Sequence, residues 1–261
     1  MINDIMLFWI CWLISITLVT YLSVYIIRHY PQYAFSTLVG FYIIYLAASQ
    51  ILAARILEFN LFSLVLFAPA SVLIYPFIAQ VIDMINEVYG VTMTHVAILI
   101  AFVTQVLWVI FITMINSFPA ASIFPYEVAW QALFSMSIRI TIASWIAFLI
   151  CSNVDAFVFD RLKKRFHERE CACRHSALAN PWVWLRSSAS DAISLTLDSI
   201  ICVFIAFAGL MPVLPLMIGQ IVMKNIIGFA DNFWFVWYKY MLNQDPGTPA
   251  VPPVSLPEVR R

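Results

Sequence analysis

The chain has 261 residues, 63% of them hydrophobic and only 11% charged, with a formal net charge of zero. Soluble domains carry about a quarter charged residues, so the composition excludes a soluble enzyme and specifies an integral membrane protein. Zero net charge leaves no basic footprint for nucleic acid, and five cysteines, an odd number, frame no disulfide set.

Apolar runs of about 20 residues, rather than alternating ten-residue strands, predict an all-α integral membrane protein. The N-terminus lacks the positive segment of a cleaved leader, so its first run is kept as a membrane helix. Seven spans are predicted, at 5–27, 33–54, 61–82, 95–115, 128–151, 192–210 and 213–238. Gly90 turns the chain between the third and fourth; Pro119 and Pro125 mark the next loop, and Pro212 and Pro215 the last turn. Residues 1–242 form one transmembrane domain. The tail, 243–261, is proline-rich and predicts disorder.

Cation placement sets the orientation. With the N-terminus outside, the inner segments hold Arg28, then Arg161, Lys163, Lys164, Arg165, Arg169, Arg174 and Arg186, then Lys239, Arg260 and Arg261; the outer segments hold Arg55. Lysine and arginine collect on the cytoplasmic side. The segment 155–185 is therefore expected as a cytoplasmic loop and the C-terminus as cytoplasmic.

The third run ends in IAQVIDMINEVYG, with Asp83, Asn86 and Glu87 on one helical face, since residues three and four apart are neighbours. Ionisable groups at bilayer depth cost about 2.5–3.5 kcal/mol each on the lenient scales and mark sites. Arg139, Asp198 and Lys224 also fall inside spans, and Asp191 lies at the inner end of one. Neutralising pairs, Arg139 with Glu87 or Lys224 with Asp198, would lower the burial cost and fix helix register. Convergence of so many groups exceeds what register needs and predicts a polar pocket holding Asp83, Glu87, Arg139, Asp198 and Lys224. Trp108, Trp145 and Tyr89 are the rings placed to stack on a planar ligand.

Other signals are weaker. HERECACRH (167–175) offers histidines and cysteines, but one residue between Cys171 and Cys173 is poor spacing for tetrahedral zinc. No phosphate-binding glycine loop exists, so no nucleotide hydrolysis, cofactor or metal is expected.

The run YPFIAQVIDMINEVYG, with Pro76, Asp83, Asn86, Glu87 and Gly90, resembles the signature of the queuosine precursor transporter (VUT) family. The similarity continues through Arg139 and Ser144, Asp155 with Phe159, Trp184-Leu185-Arg186, Ser190, Asp198, the IAFAG run and Lys224, over about 61–228. Asn153 stands where that family has a glutamine, Asp191 where it has a threonine, and Leu195 where an amide is usual. The resemblance implies a six-span core with an added first helix. It also implies uptake of 7-deazaguanine bases such as preQ0, preQ1 or queuine across a bacterial inner membrane, without catalysis. The substrate-binding residues it implies are Asp83, Asn86, Glu87, Arg139, Ser144, Asn153, Asp155, Arg186, Ser190, Asp198 and Lys224. A carboxylate accepts both donors of a guanine-like edge and a cation faces its oxygen; Glu87 or Asp198 would fill the first role, Lys224 or Arg139 the second. Two alternatives stay open: a binding subunit serving a separate ATP-hydrolysing module, or a carrier of another vitamin-like heterocycle. The partners expected are the planar base and membrane lipid, with no nucleic acid. Oligomeric state is open, a homodimer included.

Overall fold

The structure, a computed structural model, describes residues 2–61, 64–134, 138–173, 177–209 and 212–243. The proline-rich tail beyond 243 lies outside them. The chain runs α1 (Ile2–His29), α2 (Pro31–Leu52), β1 (Ile56–Leu61), β2 (Leu64–Pro69), a 3-10 turn (Ala70–Leu73), α3 (Tyr75–Asn116), α4 (Glu127–Phe134), α5 (Ile138–Ala172), a second 3-10 turn (Ala177–Ala179), α6 (Pro181–Phe207) and α7 (Val213–Asn243). Proline opens α2, α3 and α6 at the first helical positions, where its missing N–H is no loss. Asn180 also caps α6, accepting from the Trp182 amide at 3.1 Å.

Six helices are long and apolar enough to cross a membrane. One of them, α3, has 42 residues, about 63 Å at 1.5 Å per residue and about twice the bilayer's hydrocarbon core. It is broken at Gly90, whose φ of 75° and ψ of 172° lie in a region only glycine tolerates. Ring contacts of Tyr45 with Phe77 (5.2 Å between centroids) and of Phe35 with Tyr89 (5.3 Å) set residues 75–89 antiparallel to α2. Asn86 then donates to the Ala156 carbonyl at 2.9 Å, His95 lies 2.6 Å from Asn153, and Phe102 packs on Trp145 at 6.1 Å. The partners along α5 recede as α3 proceeds, so residues 91–116 turn back through the bundle. Folded back at Gly90, α3 supplies two of the seven predicted runs, so six long helices are compatible with seven runs.

Three boundaries differ from the sequence reading. The run 61–82 is not one helix: an antiparallel hairpin, in register Ile56↔Pro69 to Leu61↔Leu64, occupies its start, and helix begins only at Tyr75. The run 128–151 is divided between α4 and α5. Residues 155–185 are not a loop, because α5 continues to Ala172 and α6 starts at Pro181. Basic residues Arg161 to Arg169 keep helical geometry beyond the apolar part, with Arg169 stacked over Trp182 at 4.8 Å.

Residues 75–89 span about 22 Å, too short to cross alone; a full crossing by this segment would need the hairpin as well. Strand backbone at such depth is tolerated only where protein covers it or it lines a cavity. Both hold here. Leu57, Phe59, Leu66 and buried Ala68 pack with Met223 and Ile227 of α7, while the hairpin ends, Ile56 and Pro69, reach the cavity described next.

Candidate functional site

A cavity of about 140 Å³ lies where α2, the hairpin end, both halves of α3, α5, α6 and α7 meet. Its floor is the buried ion pair of Lys224 with Asp198. The Tyr75 hydroxyl donates to the other oxygen of Asp198 at 2.8 Å, and the Lys224 ammonium sits 3.7 Å from the Tyr75 ring centre. Both charged groups come from helix interiors, and Tyr75 stands at the first position of α3, where the break into strand and turn lets it reach inward. Ser144, Trp145, Phe148 and the amides Gln50, Gln105 and Gln220 complete the wall. Gln105 is buried, and among the described residues its Oε1 has no hydrogen-bond partner. Trp145 meets Phe102 edge to face, with the two ring planes nearly perpendicular. A second void of about 480 Å³ shares Gln50, Thr141 and Trp145 with the first and is also lined by Trp108, Asn116 and Gln131. It lies toward the end of the bundle that carries the C-terminus of α3 and α4.

The sequence-selected residues divide between two levels rather than forming one cluster. Asp198, Lys224 and Ser144 line the cavity. Glu87 sits a dozen residues along α3 from Tyr75, about 18 Å, in a network with Arg186 (2.9 Å), Lys239 (3.0 Å) and Lys163 (3.3 Å). Glu170 joins it, 3.4 Å from Arg186 and paired with Lys239. Arg186 is fully buried and lies over the Phe159 ring at 4.7 Å. The Glu87–Arg139 pair is not how Glu87 is neutralised. Asn86 is level with Ala156, and Arg139 lies about 25 Å further up α5; the Arg139 side chain is outside the described residues. Lys163 also donates to the Glu87 carbonyl at 2.8 Å, placing a cation at the C-terminal end of the first half of α3, where the helix dipole favours it.

Between the two levels lie Asp83, which accepts from Ser187 at 2.9 Å, and Asp155, which accepts from Ser190 at 2.6 Å. Asn86 is tied to α5 and Asn153 to His95 and the Leu149 carbonyl. Tyr89 packs against Phe35 at the Gly90 end of this half of α3, away from the cavity. Sequence reasoning missed Tyr75 and all three amides. The signal was present, because glutamines within apolar helices tend to face other helices, where their amides find hydrogen bonds, rather than lipid.

Residues 69–238 match the model of a family described as putative vitamin uptake transporter. A 158-residue stretch is 23% identical to a probable queuosine precursor transporter of Bacillus subtilis (strain 168), covering 60% of this chain and 64% of that relative. No solved structure matches the chain.

Proposed function

We propose that this chain, which belongs to the putative vitamin uptake transporter family, carries a 7-deazaguanine base used as a queuosine precursor, such as preQ0, preQ1 or queuine, inward across a bacterial inner membrane. It is a multi-pass membrane protein of a transporter family. The N-terminus faces out and the basic ends of α5 and α7 face the cytoplasm.

The observation that carries this reading is the Asp198–Lys224 pair beneath Tyr75 in a cavity walled by amides and aromatics. Each carboxylate oxygen has about two acceptor positions. Asp198 spends one per oxygen on Lys224 and Tyr75, and the two that remain match the adjacent N–H and NH₂ donors of a guanine-like edge. Lys224 keeps donors for the base oxygen, and the orphan Gln105 carbonyl awaits a further N–H. Stacking on Trp145 adds about 1–3 kcal/mol. A base that left these buried polar groups unmatched would bind poorly, which gives selectivity against isosteric apolar rings.

The test is uptake of labelled preQ0, preQ1 and queuine into cells unable to make them, with and without this protein. Protein-dependent uptake of at least one base, lost in Gln105→Leu and Asp198→Asn proteins that still reach the membrane, is the expected result. Uptake indifferent to the protein for all three bases would refute it.

A further inference from the structure

We propose that uptake is coupled to a proton, carried on buried carboxyl groups of Asp191 and its neighbours between the binding cavity and the cytoplasmic ion-pair layer. The proposal rests on the substrate reading above.

The carboxyl groups form a descending series along α6. Asp198 is at cavity level; Asp191 follows, with Asp155 of α5 bound one residue away at Ser190. Asp83 of α3 is bound at Ser187. Asp231 of α7 adjoins Asn232, which donates to Trp184 and Ser188. Asp83, Asp155, Asp191 and Asp231 are all at most 2% exposed. Among the described residues, Asp191 and Asp231 have no hydrogen-bond partner on either oxygen, and Asp83 and Asp155 each have one oxygen without a partner.

No cation on the described residues is left to neutralise them. Lys224 is engaged by Asp198, and Arg186 gives its ion pairs to Glu87 and Glu170 while acting on Asp83 only at longer range. The other groups facing Asp191 are Asp155, Asp231 and Asp83, with Tyr42 of α2 behind Asp155. A bare carboxylate at this depth costs several kcal/mol, whereas a protonated carboxyl does not carry that penalty. The neutralising cation must come from solution. No three of the described His, Cys, Asp or Glu side chains are grouped to hold a metal ion, which favours a proton over a coordinated ion.

Two further observations join the series to the cavity. A void of about 20 Å³, lined by Asp198, Ser194 and Asp155, has room for about one water and connects the substrate floor to the bare oxygen of Asp155. Gln80 is fully buried with neither amide atom partnered. The pairings Asp83–Ser187 and Tyr75–Asp198 fix the register of α3 on α6, and that register sets Gln80 level with Asp191. An amide that both donates and accepts, level with unpartnered carboxyls, is suited to accept from a protonated carboxyl or donate to an ionised one, and so to hold either form in place.

The experiment uses the full chain in proteoliposomes with labelled preQ0, preQ1 and queuine offered separately. Counterflow against the same unlabelled base, without gradients, reports the binding site. Accumulation under an acid-outside pH gradient, with membrane potential clamped, reports coupling. Wild type should accumulate a base about tenfold per pH unit if one proton moves with it, since each unit is a decade of driving force. Asp191→Asn and Asp231→Asn should retain counterflow and lose accumulation. Counterflow without a response to the pH gradient in wild type overturns the coupling, as does accumulation driven by a sodium gradient instead. Wild-type accumulation in either variant overturns the carboxyl assignment, even if the other variant folds poorly. Absence of counterflow for all three bases in folded wild type refutes the substrate reading and takes the coupling with it.

Discussion

A Cβ added to Gly219 of α7 would lie 2.3 Å from the Phe67 carbonyl oxygen of the hairpin. That contact is backbone on backbone, so no side chain can swing away to relieve it. The hairpin must therefore move if Gly219 is enlarged, and its end borders the cavity.

Gly219→Ala should cost about 1–3 kcal/mol, the usual range for overpacking, and should lower uptake through displaced Ile56 and Pro69. Gly40→Ala, inside α2 with nothing within 4 Å of the added Cβ, is the control and should be neutral to slightly stabilising, by up to about 1 kcal/mol. Thermal unfolding of the two purified variants checks the first effect. Equal melting temperatures would mean that the hairpin does not bear on α7 as described.

The Asp198–Lys224 pair makes a two-sided prediction. Lys224→Met alone strands a buried carboxylate and should destabilise by about 3–5 kcal/mol, whereas Lys224→Met with Asp198→Leu removes both charges and should recover most of the stability. Uptake should stay absent in both, because the groups proposed to hold the base edge are gone. Recovery of uptake together with stability in the double variant would reduce the pair to a register device.

How far the sequence reaches is clearest in the stretch 61–82. LFSLVLFAPASVLIYPFIAQVI is apolar throughout, and a continuous apolar run does not distinguish a buried strand from a buried helix. The punctuation was in the prolines: Pro69 ends β2 and Pro76 begins α3. Gly90 was legible as a turn because a glycine between two apolar runs has few other reasons to be there. Asp198 and Lys224 were legible as partners from cost alone. Glu87 was misassigned because charge pairing from sequence has no depth coordinate: Arg139 and Arg186 are both cations of the right sign, and only the tertiary register separates them by most of the membrane. Gln50, Gln105 and Gln220 carry no charge, so the cost of burying a charge does not single them out in the sequence.

Orientation is testable with a native side chain. Cys171 is exposed near the end of α5 among basic residues that favour the cytoplasm, while Ser122 is exposed in the α3–α4 connection at the opposite end. In intact cells an impermeant maleimide should modify Ser122→Cys and leave Cys171 unmodified until the membrane is opened. The reverse pattern would invert the protein.

Glu87→Gln separates the two levels of the site. If Glu87 read the base edge, glutamine would present a donor where an acceptor is needed, and affinity would fall at least about tenfold, since losing one charge-assisted contact costs about 1.5–3 kcal/mol. The geometry predicts otherwise. Glu87 is about 18 Å from Tyr75 along α3 and its oxygens are occupied by Arg186, Lys163 and Lys239. Its loss should appear as stability, by about 1.5–3 kcal/mol, because Arg186 and Lys239 retain Glu170 and are not left bare. The concentration of base giving half-maximal uptake should stay within about twofold of wild type. Removing both carboxylates, Glu87→Gln with Glu170→Gln, strands a fully buried guanidinium and should cost more than the two single changes added together, since the members of one network couple. Adding Arg186→Met to that double variant should restore part of the lost stability. A Glu87→Gln protein that folds normally but needs at least tenfold more base would return Glu87 to the substrate and contradict the two-level arrangement.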